Sequence, residues 1–385
     1  MKKTTCIASL MVCLSMGQAG ALAQNIRIDM NKTYPEKTIS LQKVADVKYI
    51  PLETTDEALF NGVVTHLSAE GIAGFNKKEG DILVFDGTGK AIASFNHTGQ
   101  GPNEYNKIYH LDVDWKQKEV YVQDNFRQKI RIYALNGSHL RTIDLQETMQ
   151  QGDLYNFSDT HLIYYAQPKS KPVTPYEPVT LLTKKEASKV TLPFTKTDDN
   201  LVKATGGPFG DMKMSAKNVN LLCKKGDEVY VNEVTADVIY RVESNHALTP
   251  VVERTPSYQD ASGQDFFLML TGANARYYFF KRQQALLEFQ GNAATDTKST
   301  YVAYDRKEKQ LLTPTFTNED YPSQDISMSK LLQCAGSANR CYLQLEAFKL
   351  KEALAEGKLK GTLKSIAEKL DEEDNPVLMV VEFKK

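Results

Sequence analysis

Six histidines, at 66, 97, 110, 139, 161 and 246, are the first candidates for base or metal chemistry in this chain. No two of them stand in an H-x-H or H-E-x-x-H spacing, which would set two imidazoles on one face of a strand or helix. Asp112 and Asp114 of "LDVD" fall on the same side of an alternating strand, with Val113 opposite. Calcium would need further oxygen ligands that the neighbouring sequence does not supply. There is no G-x-S-x-G elbow to raise a serine nucleophile, and no paired C-x-x-C of the kind that builds a zinc site. No catalytic residue, metal or cofactor is therefore expected from local motifs. Residues scattered over several elements could still converge on a common site.

The stretch "SFNHTGQGPNEY", residues 94–105, has the glycines of an anion-binding loop. Such a loop must lead into a helix, whose free N–H groups and dipole face the phosphate. Here "IYHLDVDWKQKEVYVQD" follows, and it reads as two further strands. The stretch is expected to be a corner, with Gly99 and Gly101 free to adopt positive φ and Pro102 stiffening the turn.

Strands must position whatever site exists. "GDILVFDGTGKAIASF" reads as strand, glycine turn, strand, and "QKIRIYALNGSHLRTIDL" repeats it. Weaker copies follow in "PVTLLTKKEASKVTLPF", "ADVIYRVESNHALTPVV" and "STYVAYDRKEKQLLTP", aligned on Phe85, Tyr133, Leu182, Tyr240 and Tyr304. A recurrence of about 50 residues with four short strands per unit is the pattern of propeller blades packed around an axis. A sixth copy, "NPVLMVVEFKK", lacks an outer strand, and "VADVKYIPLETT" near the start is a strand without a blade. Pairing the two closes the ring and removes two exposed edges. The expected fold is all-β: a six-bladed β-propeller over residues 24–385, closed by the N-terminal strand at 45–55. Helical spacing of Leu350, Leu354, Leu363, Ile366 and Leu370 predicts a short helical insertion at 346–371 in the last blade.

The ends and the composition set the context. Lys2 and Lys3, the apolar run "CIASLMVCLSMG" and the small-residue "ALA" ending at Ala23 form an expected signal peptide over residues 1–23. No later apolar run is long enough for a transmembrane helix. Export to the periplasm or cell surface follows as the expectation. A net charge of −1 disfavours a nucleic-acid partner, and a monomer is expected. Of the cysteines left after cleavage, Cys334 and Cys341 are close enough for an expected disulfide, with Cys223 free in an apolar run.

"HTGQGPNEYNKIYHLDVDWKQKEVYVQDNFRQKIRIYALNGSHLRTI" resembles an NHL-type repeat. With "VKYIPLETTDEAL" and the ending "DEEDNPVLMVVEFKK", the chain is similar to a family of exported bacterial six-bladed β-propellers. The likeness is strong at both ends and weak from about 150 to 330. Asn96-His97 stands where that family usually carries Gly-Arg. The resemblance implies the fold, export, and a role near glycan-utilisation or envelope systems; it brings no reaction and no catalytic residues. The expected function is a non-catalytic exported binding or scaffold protein, recognising a glycan or envelope protein through the loop-rich face. His97, Asn103, Tyr105, Asn125 and Arg127 are the expected ligand-binding residues, because aromatic rings stack on sugars and amides pair hydrogen bonds. The alternative is a metal-dependent, lactonase-like hydrolase or lyase with its site in the central channel.

Overall fold

The runs "ILVF" and "VYVQ" are apolar or buried at nearly every position because the middle strands of a blade are covered on both faces. Ile82–Asp86 is buried through its first four residues, and Glu119–Asp124 throughout. In a computed structural model, the described residues are 26–385 apart from 125–127, 146–148, 151, 166, 169–176, 186–187, 196–200, 206–211, 216–220, 261–265, 291–292, 295–297, 325, 332, 334–335 and 338. The expected signal peptide at 1–23 lies outside them.

The chain forms a six-bladed propeller. Blade one runs Val63–Leu67, Gly71–Phe75, Ile82–Asp86, Ala91–Phe95 from inside to outside. Blade two is Ile108–Asp114, Glu119–Asp124, Lys129–Ala134, His139–Asp144. Blade three is Leu154–Asn156, His161–Tyr165, Val179–Thr183, Lys189–Thr191. Blade four is Leu222–Lys225, Glu228–Val231, Val238–Val242, Leu248–Thr255, and blade five is Phe266–Ala273, Tyr277–Gln284, Ser299–Asp305, Gln310–Thr317. Phe85, Tyr133, Leu182, Tyr240 and Tyr304 all sit in the third strands of their blades.

Blade six joins the two ends of the chain. Ala45–Pro51 pairs antiparallel with Val377–Phe383, which pairs in turn with Arg340–Leu345. Asn375 secures the joint, accepting from Phe60 N at 2.7 Å and donating to the carbonyls of Glu53 and Ala58. Tyr342 adds a bond to Val64 O in blade one at 2.9 Å. The helical insertion consists of Ala347–Ala355 and Gly361–Ala367, and buries Leu350 and Leu363 in a cluster with Phe316 and Phe383.

Two features were not expected. Before reaching blade six, the chain lays Ile26–Asp29 parallel along the outer strand of blade four and Glu36–Ser40 parallel along that of blade five. The segments between blades three and four and within blade five also form an accessory sheet, in which Leu201–Thr205 runs parallel to Leu286–Gln290. Leu286–Gln290 and Ala293–Ala294 are the strands that blade five contributes to it. No described helix is long and apolar enough to cross a membrane.

Candidate functional site

Inner strands of the blades bring together side chains that lie far apart in the chain. His66 comes from blade one, His110 and Asp112 from blade two, Asn156 from blade three and Lys224 from blade four. Asp112 is the hub. Its Oδ1 faces His66 Nδ1 at 3.3 Å and accepts Val113 N at 2.8 Å. Its Oδ2 accepts Asn156 N at 2.7 Å and lies 3.5 Å from Lys224 Nζ. Asp112, His66 and Lys224 are all buried. Burial alone would raise the Asp112 carboxyl, but Lys224, His66 and His110 outweigh it and hold the group well below the usual carboxylate range.

His110 packs edge-on against Tyr155, with ring centroids 4.7 Å apart. Burial pushes its pKa down to about 4, with Lys224 adding to the effect and Asp112 opposing it, so the ring is neutral at pH 7. Among the described residues, the buried Nε2 atoms of His66 and His110 and Oδ1 of Asn156 have no partner. Gly336, at φ +105°, fits against the His66 ring edge, where a Cβ would collide with Nε2. Below the hub, Asp114 is tied to Lys184 at 2.6 Å, so the two carboxylates of "DVD" both serve ion pairs. In blade three, the Asp153 carboxyl is pushed up to about 6 by burial, opposed by bonds from Leu222 N and Leu221 N.

This convergence was missed in the sequence because the histidines share no local spacing. A signal was nevertheless present: "THLS" at 65–68 and "YHLD" at 109–112 align as inner strands, with a register shift just before each histidine. Among the described residues, no group of three His, Cys, Asp or Glu is placed to hold a metal ion.

The expected ligand residues of the 94–105 stretch are arranged differently. Tyr105 is fully buried, and its hydroxyl donates to Gly80 O at 2.7 Å while accepting from His97 N at 3.0 Å. His97 donates from Nε2 to Gly137 O at 2.8 Å and stacks on Tyr133 at 5.0 Å between centroids. The Tyr133 hydroxyl closes the circuit on Asn103 O at 2.7 Å. The stretch is a corner that locks blade one to blade two. Tyr105 is thereby corrected from a ligand contact to a packing residue, since no face of it reaches solvent. Asn103 keeps an exposed side chain. Asn125 and Arg127 lie outside the described residues. Cys341 carries a free, buried thiol, as does Cys223, and Cys334 lies outside the described residues.

An open groove of about 610 Å³ lies where blade three meets blade four, lined by Phe194, Thr195, Asp237, Val238, Tyr240 and Leu248 among others. Phe194 and Tyr240 meet edge to face with centroids 6.1 Å apart. Asp237 is held by the Ser257 hydroxyl and Tyr258 N, both at 2.6 Å. Sequence reasoning did not reach this groove, because its walls come from drifted blade four and from the segment that follows blade three.

Residues 25–382 match the family model described as "Domain of unknown function (DUF4934)". Among solved structures, a presumptive exported protein from Bacteroides fragilis superposes with a TM-score of 0.63 at 14% identity, covering 94% of this chain and 99% of that one. A member of the DUF4221 family from Bacteroides vulgatus gives 0.48 at 8% identity, over 89% and 98% of the two chains. Virginiamycin B lyase from Staphylococcus aureus gives 0.42 at 9% identity, over 88% and 99%. No curated protein matches the chain. At 14% identity the Bacteroides fragilis superposition speaks for the fold alone, whereas the family model spans nearly all of the sequence. The chain belongs to the DUF4934 family.

Proposed function

We propose that this protein is exported and acts as a non-catalytic binding or scaffold protein of the bacterial envelope, holding a glycan in the groove between blades three and four. The observation that carries this reading is the composition of that groove: an apolar floor with two aromatic rings beside a carboxylate fixed in place by two hydrogen bonds. Ring faces accept the C–H face of a sugar, and a pinned carboxylate accepts hydroxyl donors without losing further side-chain entropy. The axial carboxylate, by contrast, is engaged by groups of the protein itself. Export is supported by the leader pattern at 1–23, and secreted material should begin at or near Gln24 on N-terminal sequencing. A glycan array probed with the mature protein tests the binding reading, and the absence of any bound glycan overturns it.

A second reading, a metal-dependent hydrolase or lyase acting in the channel, is favoured by one observation. Among the described residues, two imidazole nitrogens from different blades stand buried without a partner near Asp112. Stoichiometric metal in the purified protein, lost on replacing His66 and His110, would establish it.

A further inference from the structure

The outer strands of blades one, two and four carry the same irregularity. In each, the residue opposite the aligned aromatic is followed by one unpaired residue that bulges outward: Ile92 after Ala91, Leu140 after His139, and Val251 after Pro250. The aromatics opposite are Phe85, Tyr133 and Tyr240, so the three bulges are equivalent positions of the repeat. A bulge strengthens local twist and turns its side chain away from the ladder.

Blade four shows what such an edge accommodates. Ile26–Asp29 runs parallel to Val252–Thr255, directly beyond the bulge. Its burial alternates, with Ile26 and Ile28 inward and Arg27 and Asp29 outward. Val251 packs against the cluster that contains Ile26, Ile28 and Met30. Blades one and two have the same edge without the added strand. Among the described residues, no strand pairs beyond Ala91–Phe95 or His139–Asp144; Ala91 N donates to Glu53 Oε2 at 2.8 Å, and Ile92 and Leu140 are 51% and 48% exposed. An uncovered edge beside an exposed aliphatic residue is a template for strand addition.

We propose that the outer edges of blades one and two are docking sites for an extended segment of a partner protein. The segment adds as a parallel strand, with alternating apolar residues covering Ile92 or Leu140 as Ile26 and Ile28 cover blade four. This surface is separate from the glycan groove, and the inference does not depend on that reading.

The test uses the mature protein and a synthetic peptide of residues 24–33, which carries the alternation known to fit such an edge. Hydrogen exchange followed by mass spectrometry should show new protection over 93–96 and 141–144 on adding the peptide, with 252–255 unchanged. Fluorescence titration of the labelled peptide should weaken at least tenfold in the Ile92→Lys, Leu140→Lys double variant. A peptide with Ile26→Asp and Ile28→Asp should not bind. Unchanged melting of the protein variant confirms that its fold is kept; should it unfold, Ser94→Pro with Thr142→Pro removes the edge donors instead. Absence of protection at both edges overturns the proposal. Protection confined to 252–255 also overturns it, since the peptide would then only be exchanging with the chain's own strand. A dimer of the protein itself that the lysine variants abolish would assign these edges to a second copy and refute the partner.

Discussion

Replacing Asp112 by Asn removes one charge from the centre of the ring while keeping the side chain's size. Lys224 is 8% exposed and, among the described residues, has Asp112 as its ion-pair partner at 3.5 Å, so the change takes this counter-charge from a buried ammonium. Removing one member of a buried pair costs about 3–5 kcal/mol, much of it the desolvation of the ion left behind. The bond from Asn156 N survives at the remaining carbonyl oxygen, which places the expected loss near 3 kcal/mol. Trp115 is the only tryptophan, and its ring centre lies 6.2 Å from that of His66, so its fluorescence reports the unfolding of this region in urea. Asp112→Asn should lower the transition midpoint at pH 7, and adding Lys224→Met should restore part of the loss, because the unpaired charge is gone. The pH dependence has a definite sign. The native Asp112 carboxyl titrates below its unfolded value, so its stabilisation is present above about pH 4 and is lost on further acidification. The gap between wild type and variant should therefore close below pH 4. A variant within about 1 kcal/mol of wild type at pH 7, or a double variant as unstable as the sum of its parts, would refute the view that Asp112 ties four blades together.

Three further outcomes follow from the same geometry. Gly336→Ala should destabilise by more than about 1 kcal/mol, since it strains a left-handed backbone position and drives a methyl into His66; urea midpoints check this. His110 has its pKa lowered from 6.5 to about 4, so its contribution is present above about pH 6.5 and is lost as pH falls toward 4. At about 1.4 kcal/mol per unit this is worth about 3 kcal/mol, and a His110→Gln variant should lack that part of the acid dependence. Burial raises the thiols of Cys223 and Cys341 to about 11 and about 12, so iodoacetamide should label both only after unfolding, as read by intact mass.

The propeller could be read from the sequence because its evidence is local and repeated. Phe85 and Tyr133 recur with the same turn chemistry, and the missing outer strand of the last blade points directly to "VADVKYIP". The strands at 26–29 and 36–40 escaped notice because each is short and pairs in parallel with an edge some 220 or more residues away, leaving no period to detect. The axial group escaped for a related reason. His66, Asp112 and Lys224 meet only when four blades close, and each is unremarkable within its own strand. Tyr105 was misread because a tyrosine in a polar turn can face either way. Its burial is decided by the turn folding back, with Tyr105 N donating to His97 O and Gly99 N to Tyr105 O, both at 3.0 Å. The groove depends on residues 193–195 crossing blade four, a tertiary event with no sequence signature.

The central claim is that the groove between blades three and four holds a glycan, and calorimetric titration of the best ligand from the array tests it most directly. Tyr240 supplies an aromatic wall there, and loss of such a ring costs about 0.5–1.5 kcal/mol beyond its buried area. Tyr240→Ala should weaken binding at least tenfold while Asp112→Asn, measured well below its melting point, leaves affinity unchanged. Unaltered affinity in Tyr240→Ala, together with loss of binding in Asp112→Asn, would place the ligand at the axis and contradict the account.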